Sequence, residues 1–229
     1  MKGITKSFGG VIALQNVSLS LEPNRIYGLI GPNGSGKTTL FNVITGFLKA
    51  DSGQVFYNGE LLNGLGPRQI ATRGIVRTFQ LTRIFPKMTI LENLQVVAAK
   101  LDERGKKEIK EIIKLAELQG LENEYAKNLS HGQRKQLEFI RMLLKNPDLV
   151  MLDEPMAGLT DGMIEKMLAS IRYARDQGKT IFIIEHNLSA ITRVSEKIFV
   201  LDNGVKIAEG TPSEIQNDAN VIEAYIGAA

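Results

Sequence analysis

The chain of 229 residues contains no cysteine, so it can form neither disulfide bonds nor metal sites with thiolate ligands. Long hydrophobic runs are also missing. Those present, such as LVML at 149–152 and IFII at 181–184, have the length of strands and fall far short of a membrane span. We therefore expect any membrane role to come through a partner chain. The net charge is only +3, with basic residues interleaved with glutamates, which argues against nucleic acid as a partner.

The pattern of apolar residues predicts an α/β fold with a mostly parallel sheet. Strands are predicted over 17–23, 25–31, 53–60, 148–154, 179–186 and 196–204, and Asn58-Gly59 is predicted to form a tight turn that closes the strand at 53–60. A helix is predicted over 161–177, with Ile164, Met167, Leu168 and Ile171 facing inward. Apolar strands that alternate with helices indicate a parallel sheet covered on both faces. Asn203-Gly204 predicts a final hairpin, and Thr211 or Ser213 is expected to cap the last helix.

Between about 87 and 146 the apolar period becomes helical. Ile109, Ile112, Ile113 and Ala116 fall on one face of a helix, with lysines and glutamates opposite. We therefore predict one domain over 1–229, in which a helical subdomain at about 87–146 is inserted into a core lobe at about 1–86 and 147–229.

The segment GPNGSGKTT at 31–39 matches the phosphate-binding pattern G-x-x-x-x-G-K-[ST], between a predicted strand and a predicted helix. Glycines let backbone N–H groups turn toward phosphate oxygens, and the helix directs its positive end at the anion. Lys37 would bridge the β- and γ-phosphates, the Thr38 hydroxyl would bind Mg²⁺, and Thr39 would reach the α-phosphate. The alternative is a glycine-rich turn with a chance lysine. The predicted phosphate contacts are Gly31, Pro32, Asn33, Gly34, Ser35, Gly36, Lys37, Thr38 and Thr39.

Two acidic residues end the strand LVML. Asp153 would hold Mg²⁺ through water, and Glu154 would act as a general base on the attacking water. The alternative is that the two residues merely end a strand. Their place at the carboxyl edge of the sheet, together with the phosphate loop, favours the catalytic interpretation.

The segment NLSHGQRKQLEF at 128–139 has the form of a helix start, because Ser130 can cap and Gln133 follows three residues on. A cap does not explain why Gly132 follows His131.

Together these motifs resemble the ATP-binding cassette (ABC) ATPases, along nearly the whole chain. The resemblance implies an ABC-ATPase core with an antiparallel β subdomain near the N-terminus and the helical insertion. It also implies that Phe8 stacks on adenine, that Gln80 senses Mg²⁺ and the γ-phosphate, and that His186 is the switch histidine. Phe8 could instead be a core aromatic, Gln80 any loop glutamine, and His186 a structural residue.

LSHGQ at 129–133 resembles the family signature, which in that family faces the phosphate loop of a second cassette. The resemblance thus implies that Ser130, Gly132 and Gln133 bind ATP held by a partner subunit, in a homodimer or a heterodimer. It assigns catalysis to Glu154, His186, Gln80 and Lys37, and metal binding to Thr38, Gln80 and Asp153. Two departures stand out: His131 replaces a glycine and is expected to point away from phosphate, and Thr160 replaces the usual aspartate.

The segments 75–94 and 221–227 look most like ATP-binding subunits of branched-chain (hydrophobic) amino acid importers. This resemblance implies membrane permease subunits, an indirect link to a substrate-binding protein, and a position at the cytoplasmic face of the membrane. Alternatives are a lipopolysaccharide-export ATPase, a soluble ABC protein acting on nucleic acid or ribosomes, and an unrelated P-loop GTPase or kinase. Transport direction does not follow from the sequence. The family's first strand starts a few residues before Lys2, which leaves the completeness of the N-terminus open.

Overall fold

The computed structural model describes residues 1–78, 83–98 and 102–226. The strands are β1 Lys2–Phe8, β2 Val11–Val17, β3 Ile26–Ile30, β4 Ser52–Gln54, β5 Phe56–Tyr57, β6 Glu60–Leu61, β7 Ile75–Arg77, β8 Leu149–Asp153, β9 Thr180–Ile184, β10 Lys197–Asp202 and β11 Val205–Gly210. The helices are α1 Lys37–Ile44, α2 Pro67–Ala71, α3 Ile90–Gln95, α4 Glu103–Leu115, α5 His131–Leu143, α6 Asp161–Asp176, α7 Leu188–Thr192, α8 Pro212–Gln216 and α9 Ala219–Ile226.

The central sheet has the strand order β11-β10-β3-β9-β8-β7. Neighbouring strands are parallel from β10 to β7, and only the β10–β11 hairpin at the edge is antiparallel. The predicted α/β fold class is therefore confirmed. Because β3, β8 and β9 are parallel, their carboxyl ends meet at one edge, where Gly31, Glu154 and Glu185 follow.

Successive residues of the central strands pack into two different cores, because side chains alternate across a sheet. One core receives Ile181 and Ile183 of β9 and lies against α4, α5 and α6. The other receives Phe182 and Ile184 and lies against α1 and the N-terminal strands. This double burial explains why the strands are uninterrupted apolar runs.

A separate antiparallel sheet of order β2-β1-β4 lies near the N-terminus, as expected. The predicted strand at 17–23 is wrong, because β2 ends at Val17. The predicted strand at 53–60 is also wrong as one element. It divides into β4, which pairs with β1, and β5, which pairs with β6 across the Asn58-Gly59 turn.

Helices α3, α4 and α5 lie between β7 and β8 in the chain, and the four residues predicted to share one helix face are buried. Helix α6 spans Asp161–Asp176, close to the predicted 161–177, and its four predicted inward residues are also buried. Thr211 caps α8, so the predicted cap is confirmed, but α9 follows and the prediction that the capped helix is the last one is wrong. Within the described ranges no helix has the length and apolar character needed to cross a membrane.

Candidate active site

The predicted phosphate loop leaves the fully buried strand β3 and leads directly into α1. Gly31 has φ +148°, and a Cβ there would lie 1.9 Å from the carbonyl oxygen of Leu201. Gly36 has φ +101°, with its Cβ position 2.4 Å from the Ala13 carbonyl oxygen. Both positions therefore require glycine. Helix α1 begins without a side-chain cap, which leaves its first N–H groups free for an anion.

The Lys37 side chain folds back over this loop. Its Nζ donates to the carbonyl oxygens of Gly31 at 2.8 Å and Pro32 at 2.7 Å, and to Ser35 Oγ at 3.2 Å. Burial lowers the pKa of the Lys37 ammonium, and the negative charges of Glu154 and Asp153 oppose that shift. The Lys37 ammonium lies in a buried loop close to two carboxylates. Such a site suits a ligand with several negative charges that binds together with a metal cation.

Asp153 ends β8 and is buried. Its backbone N–H donates to Thr78 Oγ1 at 2.9 Å, and its Oδ2 accepts from Arg77 Nη2 at 2.6 Å. Its other oxygen, Oδ1, is buried and accepts no hydrogen bond from the described residues. A buried carboxylate oxygen in this state is suited to a metal ion or a metal-bound water.

Glu154 and His186 meet at the carboxyl edge of the sheet. Glu154 Oε1 lies 3.0 Å from His186 Nε2, and both side chains remain partly exposed. Glu154 has the left-handed φ of +50°, which is uncommon for a residue with a side chain. Its N–H donates to Ile184 O at 2.9 Å, and its carbonyl oxygen accepts from Lys135 Nζ at 2.7 Å. The arrangement presents a carboxylate to solvent beside Lys37 and Asp153.

Glu185 is a residue of this site that the sequence reasoning missed. It is buried, and its carboxylate accepts the backbone N–H groups of Met156 at 2.7 Å, His186 at 3.0 Å and Asn187 at 3.3 Å. Burial raises the pKa of Glu185, and its three amide donors and the Lys135 charge oppose this upward shift. The residue links the turn after β8 to the turn that carries His186.

The signature segment forms the N-terminus of α5. Ser130 Oγ accepts from the Gln133 N–H at 3.2 Å, and Gln133 Oε1 accepts from the Ser130 N–H at 2.9 Å, so both residues form a capping box. A Cβ at Gly132 would lie 2.3 Å from Met163 Sδ, so the missing side chain allows α6 to approach. The exposed His131 ring lies 3.3 Å from the Ala157 carbonyl oxygen.

The remaining predicted residues that the structure describes lie at the end of β1, on the first turn of α1 and just before α6. Phe8 is exposed at the end of β1, so the alternative of a core aromatic is wrong. Thr38 is exposed and Thr39 half-buried on the first turn of α1. Thr160 is exposed and precedes α6 without capping it through its side chain. Gln80 lies outside the described residues.

Comparison with known families places this fold and motif set among the ATP-driven transporters. The model of the ABC transporter family matches residues 14–157, and the model described as "Branched-chain amino acid ATP-binding cassette transporter" matches residues 205–229. The chain therefore belongs to the ABC transporter family and is one of its ATP-binding cassettes.

Named relatives and solved structures agree with this assignment. The high-affinity branched-chain amino acid transport ATP-binding protein LivG of Escherichia coli (strain K12) is 38% identical over 250 residues, which cover 100% of this chain and 97% of LivG. The corresponding protein BraF of Pseudomonas aeruginosa is 35% identical over 248 residues, with the same coverage.

A nucleotide-free ATP-binding cassette from an ABC transporter superposes with a TM-score of 0.88 at 37% identity, covering 99% of this chain and 97% of that one. A dimeric cassette bound to ADP and Pi superposes at 0.79 with 27% identity, covering 92% and 97%.

Proposed function

We propose that this chain is the ATP-hydrolysing subunit of an importer of branched-chain amino acids, held at the cytoplasmic face of the membrane by permease subunits. The observation that carries the proposal is one cluster at the carboxyl edge of the sheet. There a glycine loop and an uncapped helix lie beside Lys37, Asp153 and the Glu154–His186 pair, which is 3.0 Å apart.

In the proposed complex the phosphates of ATP replace the carbonyl partners of Lys37. The open N–H groups at the start of α1 and the residues Gly34 to Thr39 surround the phosphate oxygens. The exposed ring of Phe8 supplies a flat apolar surface for adenine.

Magnesium fits the residues present, because Asp153 Oδ1 is a buried acceptor without a described partner and the Thr38 hydroxyl is exposed on the first turn of α1. We assign the metal to Thr38, Asp153 and, from the family resemblance, Gln80. When bound, Mg²⁺ would neutralise charge on the transferred phosphoryl group.

Glu154 is proposed as the general base that accepts a proton from the attacking water. His186, 3.0 Å from Oε1, would hold the carboxylate in place. The contacts with Ile184 and Lys135 hold the left-handed backbone of Glu154 in place.

The second half of each site is proposed to come from another cassette. The hydrogen bonds of Ser130 and Gln133 lie within their own cap, so they hold the N-terminus of α5 in shape and leave its positive end for a partner's phosphate. ATP would then favour a closed pair, because only the pair makes these contacts. The dimeric cassette among the structural relatives supports this arrangement.

Branched-chain amino acids are the proposed substrate class because LivG and BraF are transport proteins for them and the C-terminal match is to that subfamily. These matches favour the amino acid importer over lipopolysaccharide export. A substrate-binding protein would deliver the amino acid to the permease.

The test is the variant Glu154→Gln in the purified membrane complex, with Glu165→Gln as the matched control. Glu165 is an exposed residue of α6 paired with Arg193. We expect Glu154→Gln to keep ATP binding while hydrolysis and leucine uptake into proteoliposomes fall by about 10²–10⁴-fold, with Glu165→Gln close to wild type. Unchanged hydrolysis by Glu154→Gln would refute the assignment of the base, and wild-type hydrolysis that no branched-chain amino acid stimulates would refute the substrate class.

A further inference from the structure

A buried ion pair lies directly behind the predicted metal site. Arg77 is the last residue of β7 and is paired in register with Met151 of β8. Its guanidinium reaches Asp153, which lies two residues after Met151 on β8. Arg77 Nη2 and Asp153 Oδ2 are 2.6 Å apart, and their side chains are only 5% and 2% exposed. Such pairs add little net stability, because removing both charges from water offsets their attraction. Stability alone is therefore a poor reason for a charge pair at this position.

The Arg77 guanidinium is itself held by the helix that follows the phosphate loop. Its Nη1 donates to Asn42 Oδ1 at 2.5 Å, and its Cζ lies 5.5 Å from the centroid of the Phe41 ring. A planar guanidinium fixed in two directions has a defined orientation, which a lysine ammonium would not have. The end of β7 thus connects α1 to the carboxylate of Asp153.

The same strand end also fixes the backbone of Asp153, since Thr78 Oγ1 accepts the Asp153 N–H at 2.9 Å. With the backbone and Oδ2 both held, the carboxylate plane is set. Oδ1 is then the oxygen left over, buried and without a partner among the described residues. Leaving a buried charged acceptor without a partner is costly. The orientation of Asp153 Oδ1 therefore points to a cation, or a cation-bound water, as its partner.

We propose that Arg77 is a positioning residue for the metal site: it holds Asp153 Oδ2, with Asn42 as its anchor, so that Oδ1 faces the cation of the nucleotide complex. This inference rests on the proposed function. The opposite possibility is that Arg77 acts as a counter-ion that the metal has to displace. The two differ in sign, because loss of a positioning residue weakens cation binding and loss of a competing cation strengthens it.

The test measures cation affinity rather than turnover. Mn²⁺ is titrated by EPR into the chain with the non-hydrolysable ATP analogue AMP-PNP, for wild type, Arg77→Met, Arg77→Lys and Asn42→Ala. Arg73→Met is the matched control, because Arg73 lies four residues before Arg77 and its charge pairs with the exposed Glu60. Removal of an outer partner of a metal ligand typically weakens metal affinity 10–100-fold.

We expect the half-saturating Mn²⁺ concentration to rise at least about 10-fold in Arg77→Met and by a smaller factor in Asn42→Ala. Arg77→Lys should lie between wild type and Arg77→Met, and Arg73→Met should match wild type. Binding of fluorescent ATP in EDTA should stay within about two-fold of wild type in all variants, because this contact acts on the cation and not on the phosphate loop.

Mn²⁺ affinity that is unchanged or higher in a folded Arg77→Met would overturn the proposal. If Arg77→Met does not fold, Asn42→Ala decides, and a half-saturating concentration equal to wild type in that variant overturns it. Failure of the proposed function gives a different result: the wild-type chain itself would bind no Mn²⁺ with AMP-PNP.

Discussion

Replacing Lys135 by Met should destabilise the chain and slow hydrolysis together. Lys135 is buried on α5, and its Nζ donates to the Glu154 carbonyl oxygen at 2.7 Å. It is also a positive charge near the buried Glu185. Methionine has a similar length and keeps the packing, so the substitution removes the charge and the hydrogen bond and little else.

The magnitude follows from these two contacts. A hydrogen bond from a charged donor contributes about 1.5–3 kcal/mol, and the buried carboxylate of Glu185 also loses a nearby positive charge. We therefore expect the free energy of unfolding to fall by about 3 kcal/mol, which for a chain of this size lowers the Tm by roughly 6–12 °C. Without Lys135, the left-handed backbone of Glu154 keeps its hydrogen bonds to Ile184 at 2.9 Å and Ala157 at 3.3 Å but loses its charged donor. We expect kcat to fall about 10–100-fold, because a displacement of 1 Å can have an effect of that size.

Urea unfolding and ATPase assays of the assembled complex check both effects, with Lys166→Met as the control. Lys166 forms an exposed ion pair with Glu117 at 2.7 Å, so its loss should change the free energy of unfolding by less than about 1 kcal/mol. A Lys135→Met variant that is as stable as Lys166→Met, or that hydrolyses ATP at the wild-type rate, would contradict these roles of Lys135.

Two further substitutions test the burial of Glu185 and the backbone of the phosphate loop. Burial raises the pKa of Glu185 above its usual 4.5. Compared with Glu185→Gln, the wild type should therefore lose stability as the pH rises from 4.5 through the raised pKa. A difference in unfolding free energy between the two proteins that does not depend on pH would contradict this. Gly31→Ala should lower the free energy of unfolding by more than about 3 kcal/mol, because its Cβ would meet the Leu201 carbonyl oxygen. Gly59→Ala is the control: Gly59 has φ +82° and open space around it, so this substitution should lower the free energy of unfolding by only about 1 kcal/mol. Equal melting temperatures of the two variants would contradict this prediction.

The elements predicted well from sequence are those whose pattern reflects burial. The strands at 180–184 and 197–202 and the helix at 161–176 were each predicted to within a few residues, because a covered face leaves an apolar period in the sequence. The strand predictions at 17–23 and 53–60 failed because pairing with β1 decides them. Gly53 has φ +89°, and its Cβ position lies 2.3 Å from the Gly3 carbonyl oxygen. The alternation of apolar and polar residues within one segment carries no information about a close contact with another strand.

The candidate site shows the same limit. Lys37, Asp153 and Glu154 belong to motifs whose spacing is local, so sequence reasoning brings them together. Arg77 and Lys135 were missed, because a charged residue on a strand or helix is indistinguishable in sequence from a surface charge. Their roles depend on contacts across 76 and 19 residues respectively. The capping box of Ser130 and Gln133 is a local pattern and was predicted correctly.

The central claim is that each ATP is bound by two cassettes, and the variant Ser130→Asp tests it most directly. Aspartate caps a helix as well as serine, so α5 should keep its shape, while its charge repels a phosphate held by the partner. The measurement compares ATP affinity of the isolated chain with hydrolysis by the assembled complex. We predict a dissociation constant within about two-fold of wild type and hydrolysis lowered by about 10²–10³-fold. Hydrolysis that is unchanged in the complex, or an equal loss of ATP binding by the isolated chain, would contradict a shared site.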